Sequence, residues 1–411
     1  MSDDRQFYPL YLTRFVGSLG FVTLVTLLPT YIETLGAEGV VVGLFITALG
    51  VGRTLAVVPL GWAADRYDKR SILLASMVVG TLAYAMFGLI ETSIGFLAAR
   101  TLQGLSAVGT GMVALALVGD MAPPDERANR IGVFNSWRMA AGIVGTLGAG
   151  AMAETVGLDP IFGGIVGLLV LATVGVWYYV EPDDSSEGFA FLDLAMNDRI
   201  VTVTTFRAQY AVAVTLVRSW VPILVGVSAA QGGLGLGALA VGVAVAAEKF
   251  ANGLCQPFTG RLSDGHGRAL FVAAGGGAYG LVALGIPFAA DVGASLAVPT
   301  ALPVLGTVPA AFLVVVGLNA LLGVADAFRE PASMALFADE GSGEGIASSF
   351  GVRGLVWRPG ALLAPLLGGY LMEAFGVGSV FLAGGAAALS GVLVFSAVLV
   401  VRYDRGAFAR W

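Results

Sequence analysis

Thirteen ionisable side chains interrupt otherwise apolar stretches of this chain, and they are the residues that could do chemistry. Ten are basic: Arg14, Arg53, Arg100, Arg138, Arg207, Arg218, Lys249, Arg329, Arg353 and Arg358. Three are acidic, Glu248, Asp326 and Glu330, with Glu33 at a rim. In hydrocarbon each charge costs a few kcal/mol, so partners, water or a ligand must receive them. The chemistry within reach is binding of a charged solute and carriage of a proton. A carboxyl group withdrawn from water favours its neutral form, as a proton carrier requires. Glu248 falls in mid-segment without a basic residue three or four positions away, and Lys249 projects ~100° from it on a helix. It is the first proton-coupling candidate; a structural salt bridge to Arg53 or Arg358 is the alternative. Asp326 stands three residues before Arg329, the spacing of a local helical pair, and is the second candidate. Arg53, Arg138, Lys249, Trp357 and Arg358 are candidates for a substrate cavity. Arg14 and Arg207 lie close enough to one face to snorkel.

The elements that must hold these charges are long and apolar. Hydrophobic types make up 57% of the 411 residues and charged ones 12%, about half the share of a soluble domain. Such a chain cannot cover a soluble surface with polar groups. A soluble enzyme is excluded, and so is a nucleic-acid binder, given a net charge of −6. Apolar segments run at 9–33, 40–63, 71–90, 94–119, 131–153, 160–180, 200–227, 238–262, 269–290, 310–337, 347–373 and 378–401. Their uniform hydrophobicity fits spanning helices; barrel strands would alternate in polarity. The fold expected is an all-α integral membrane protein with twelve transmembrane helices in two pseudo-symmetric six-helix bundles. Residues 1–180 and 200–411 form the bundles, and the polar stretch 181–199 is a cytoplasmic linker.

Scarcity narrows the chemistry further. One His (His266) and one Cys (Cys255) leave no material for disulfides, zinc or haem sites, or Cys/His catalysis. The two lysines, Lys69 and Lys249, stand outside any P-loop pattern. No enzyme, metal or cofactor is therefore expected. With the N-terminus inside, twelve Lys and Arg fall in inner loops and tails, among them Arg5, Arg66, Lys69, Arg127, Arg268 and Arg402. The outer loops then carry Glu38, Glu91, Asp159 and Asp291 and no base, so the positive-inside rule places both termini in the cytoplasm. The opening MSDDRQF reads as a cytoplasmic tail.

The halves repeat. Asp65 matches Asp264 at an offset of 199, Asp120 matches Asp339 at 219, and Trp137-Arg138 matches Trp357-Arg358 at 220. A long outer loop, 291–309, absorbs the difference. Paired six-helix repeats around a central site are a transporter plan.

The loop GWAADRYDKR (61–70) resembles motif A of the major facilitator superfamily, and GRLSDGHGR (260–268) resembles its second copy. ARTLQG (99–104) is similar to motif B, with Arg100, Gln103 and Gly104 in its places. DMAPPDER (120–127) is similar to the family's DxxPxxxR link, and GALLAPLLGG (360–369) to its antiporter motif. Asp68 replaces the usual Gly of the first motif A, and GIVGTLG (142–148) lacks the antiporter proline. The resemblance, closest to the multidrug/H⁺ antiporter branch, implies alternating-access transport. It implies proton-coupled efflux of drug-like molecules by a monomer in the plasma membrane, with a small-molecule substrate and H⁺ as partners. Organic-anion uptake or exchange is the alternative within transport, and a non-transporting sensor or scaffold the alternative outside it. Gly61, Asp65, Arg66, Lys69, Arg70, Asp120, Arg127, Gly260, Asp264, Gly267 and Arg268 would form a conformational latch, in which bases such as Lys69 pair with acids such as Asp120.

Overall fold

The computed structural model describes residues 3–64, 66–123, 126–182, 197–296, 301–340 and 346–410. Asp65 and most of the 181–199 connector lie outside them. Among the described residues the chain forms twelve long helices, each within a few residues of an apolar segment. They are α1 (Phe7–Thr26), α2 (Val40–Ala64), α3 (Lys69–Phe87), α4 (Ser93–Met121), α5 (Arg127–Thr155) and α6 (Asp159–Tyr179). The second set is α7 (Asp198–Gly226), α8 (Ala238–His266), α9 (Arg268–Gly285), α10 (Ala310–Glu340), α11 (Ile346–Phe375) and α12 (Val377–Tyr403). Ten are long and apolar enough to cross a membrane. The exceptions, α5 and α11, carry Arg138 and Arg358 in their interiors among glycines and polar residues. A two-residue hairpin, Ala301–Leu302 against Gly306–Thr307, sits in the long loop before α10.

Helix irregularities have local causes. Pro29 lacks an N–H to continue α1, and a separate short helix, Leu28–Thr34, begins there. Within α4, residues Gly109–Val113 form a π-helical turn. In α10, Pro331 cannot donate to the carbonyl of Ala327; that oxygen instead accepts from Thr259 Oγ of α8 at 2.6 Å.

Two compact units result. The first holds residues 1–37, 44–189 and 237–242; the second holds 38–43, 190–236 and 243–411. In the first, α1 packs on α5 and α6, and α3 on α4 and α6. Its core contains Leu10, Leu73, Met77, Leu117, Phe134 and Val176, and rings of Tyr31, Phe45, Phe87, Phe96 and Phe162 stack nearby. In the second, α7 packs on α11 and α12, and α9 on α10 and α12.

In each unit a glycine brings two helices into backbone contact at matching positions of the repeat. A Cβ on Gly104 of α4 would strike Leu49 O and Arg53 N of α2. A Cβ on Gly323 of α10 would strike Glu248 O and Asn252 N of α8. The residues correspond at offsets of 219 and 199, the offsets of the sequence repeat. Gly104→Ala and Gly323→Ala should therefore each destabilise the protein by about 1–3 kcal/mol through overpacking, although Ala favours a helix by ~1 kcal/mol over Gly. Gly164→Ala on α6, where nothing lies within 4 Å, should not destabilise. Melting in detergent checks the contrast; equal shifts at all three positions would refute backbone contact as its cause.

Candidate functional site

Two interior carboxylates of the second unit converge on one guanidinium. Arg218, on α7, donates from Nε to Glu248 Oε1 of α8 at 2.7 Å and from Nη2 to Asp326 Oδ2 of α10 at 2.8 Å. Asp326 is fully buried and takes two further donors, Arg329 Nε at 2.7 Å and the Tyr210 hydroxyl at 3.2 Å. Arg329 also lies over the Tyr210 ring, 4.3 Å from its centroid, and Tyr279 of α9 packs against Tyr210. Beyond it, Glu330 stands 3.9 Å from Arg329 and 3.8 Å from Arg353 of α11.

The two carboxylates thus have unequal anchorage. Asp326 has three donors, and its local pair with Arg329 is the one that the i,i+3 spacing suggested. Glu248, 7% exposed, has Arg218 as its one partner among the described residues. Arg358, one of the alternative partners, does not pair with it among the described residues; Arg218 from the neighbouring helix binds its Oε1. The Arg218 side chain is 38% exposed, so the shared cation is less buried than Glu248, Asp326 or Arg329. Removing a proton acceptor at Glu248 frees one arm of Arg218 while Asp326 retains the other.

Other residues fall as follows. Arg207 does not snorkel: it is buried, donates from Nε to Arg353 O at 2.7 Å, and lies over the half-buried Trp357 ring at 4.7 Å. Its partners are a carbonyl and a ring on the adjacent helix. Arg14 is half-buried, with its guanidinium over Phe134 at 5.2 Å. Lys249 and Arg358 are half-buried, while Arg138 and Arg53 are exposed, Arg53 with its guanidinium over Phe21 at 5.0 Å. The motif B residues form a chain in the first unit: Arg100 Nη1 donates to Gln103 Oε1 at 2.9 Å, and Gln103 Nε2 to the Tyr84 hydroxyl at 2.8 Å. Gly104 is the close-contact residue described above.

The two motif A loops build equivalent ion pairs. Lys69 meets Asp120 at 3.1 Å in the first unit, and Arg268 pairs with Asp339 and, at 2.8 Å, with Asp264 in the second. Arg66 is exposed over Trp62, Arg70 donates to Trp177 O, and Arg127 is exposed at the start of α5. Gly61 is buried and Gly260 half-buried. Asp68, where the motif has glycine, caps α3 by accepting from Arg70 N at 3.0 Å and Ser71 N at 3.1 Å. Its counterpart Gly267 starts α9 at φ +96°, with the backbone of Phe408 and Ala409 against it. A side-chain cap and a left-handed glycine thus solve the same turn.

Twelve long helices in two sequence repeats, ten of them long and apolar enough to cross a membrane, with ion-paired loops and a buried charge cluster, are the marks of a multi-pass membrane protein. The chain belongs to the Major Facilitator Superfamily, whose family model matches residues 10–302. It is 25% identical over 168 residues to an MFS-type transporter of Methanocaldococcus jannaschii, covering 40% of this chain and 44% of that protein. It is also 25% identical over 201 residues to the quinolone resistance protein NorA of Staphylococcus aureus, covering 48% of this chain and 51% of NorA. The chain spans about half the length of these curated relatives. Among solved structures, the nucleoside transporter NupG aligns with a TM-score of 0.74 at 13% identity, covering 96% of this chain and 99% of that one. The POT family transporter PepTSo aligns at 0.73 and 13%, covering 97% and 98%. These two show the fold.

A partner missing from the sequence reading was Arg218, whose bond to Glu248 spans 30 residues. Arg218→Gln should destabilise the protein by about 3–5 kcal/mol, since two buried carboxylates lose their shared cation. Adding Glu248→Gln should recover part of that loss. Thermal unfolding of the single and double variants measures the coupling; strict additivity would rule out the pair.

Proposed function

We propose that the protein is a proton-coupled secondary transporter that exports small organic molecules across the plasma membrane by alternating access. The observation that carries the coupling is the unequal sharing of Arg218 between Glu248 and Asp326. Protonation of Glu248 sacrifices a single ion pair and releases one face of a half-buried cation. Protonation of Asp326 would disrupt three donors at once, so Asp326 serves as the fixed anchor. A proton at Glu248 then changes what Arg218 can bind and which state is favoured. The export direction draws on the similarity to NorA, a quinolone resistance protein. The run of bases in alternate loops supports cytoplasmic termini and a motif A end that faces the cytoplasm.

Glu248→Gln should abolish transport driven by a pH gradient in reconstituted vesicles while preserving gradient-free substrate exchange. Concentrative transport by that variant would make Glu248 structural and move the coupling role to Asp326.

The Lys69–Asp120 and Arg268–Asp339 pairs act in this reading as paired latches that break when the carrier changes state. Asp120→Lys should lower the transport rate at least severalfold with substrate affinity kept, and Lys69→Asp in the same chain should restore much of it. Rates and affinities measured in vesicles decide this; no rescue by the swapped pair would eliminate the latch.

A further inference from the structure

The interior charge of the two units is unequal. Three carboxylates, Glu248, Asp326 and Glu330, stand among the interior bases of the second unit. In the first unit Arg14, Arg53, Arg100 and Arg138 lie inside α1, α2, α4 and α5, and none forms an ion pair among the described residues. The described carboxylates of that unit, such as Glu33, Asp120, Glu126 and Glu154, all lie at helix ends. Arg100 is occupied with Gln103. The other three are not neutralised.

Their geometry is that of a receptor. Arg14 lies within electrostatic reach of both Arg53 and Arg138, and its Nε is buried without a hydrogen-bond partner. The Arg53 guanidinium lies over Phe21, two turns along α1 from Arg14, and the residue is exposed. Arg138 is exposed beside Trp137, whose ring meets Phe15 edge-on at 5.7 Å. Three guanidiniums from three helices repel one another, and an anion that joins them relieves the repulsion. The planar N–H fork of arginine matches a carboxylate, and Phe21 and Trp137 supply an apolar wall beside it. We infer that the first unit binds the carboxylate of an organic solute through Arg14, Arg53 and Arg138, and that the exported substrate is therefore an organic anion.

The inference rests on the transporter reading for its place in a cycle, but an equilibrium measurement without a gradient tests it. Loss of anion binding would leave proton coupling at Glu248 standing, and loss of coupling would leave the anion site standing. The full chain in phosphatidylcholine nanodiscs is titrated with 2-naphthoate and with its neutral isostere, 2-naphthamide. Naphthoate should raise the melting temperature and bind at least tenfold more tightly than the amide. Arg53→Gln and Arg138→Gln should each weaken naphthoate roughly tenfold or more, as loss of a charge-assisted contact does, and leave the amide unchanged. Arg53→Lys, which keeps the charge without the fork, should fall between. Equal binding of naphthoate and naphthamide by the parent protein overturns the inference, whatever the variants do. So does naphthoate binding that survives both Gln substitutions in folded protein. Stabilisation by phosphatidylglycerol alone, abolished by the Gln variants while naphthoate has no effect, would assign the arginines to a lipid headgroup and overturn it equally.

Discussion

A charge inside a membrane protein must be answered by another charge, by water or by a dipole, because hydrocarbon supplies none of these. That constraint organises the second unit. Arg218 joins α7 to α8 and α10 through two carboxylates, and Arg329, Tyr210 and Tyr279 close around them. Arg207 extends the same logic to α11, where a backbone carbonyl and an indole face take the place of acids. The polar network and the packing of four helices are one problem with one solution.

Glycine settles how closely those helices can come. Contact of Gly104 with α2 and of Gly323 with α8 brings backbone against backbone, so a side chain at either place would push the helices apart. The contact in the second unit falls at the carbonyl of Glu248 itself. The residue that pairs with Arg218 is thereby fixed at its backbone, and its carboxylate has little freedom to seek another partner.

The fold was legible because its signals are local and repeated. Twelve apolar runs mark the helices, and the offsets between Asp65 and Asp264 and between Asp120 and Asp339 reveal the duplication. The i,i+3 pair of Asp326 and Arg329 was equally visible, since helix geometry alone brings the two together. Arg218 and Glu248 were not, because they meet across helices and no spacing rule links positions 30 residues apart. Arg207 misled for a different reason. Distance from a helix end says how far water is, but not that Arg353 O and Trp357 are its partners. Asp68 looked like a defect in a glycine position and is instead a cap, a role visible only with the two N–H groups in place.

The interruption of α4 at Gly109–Val113 has a counterpart in α10. Pro331 stands at the repeat offset of 219 from Met112, inside that π turn. One repeat widens its helix by a turn that closes five residues apart; the other deletes a hydrogen bond and passes the orphaned carbonyl to Thr259. In both, the interruption lies between the glycine that locks the helix to its neighbour and the acid, Asp120 or Asp339, that holds the loop base. Each interruption thus weakens regular helix bonding between the stretch held backbone to backbone against its neighbour and the stretch that carries the acid of the loop ion pair.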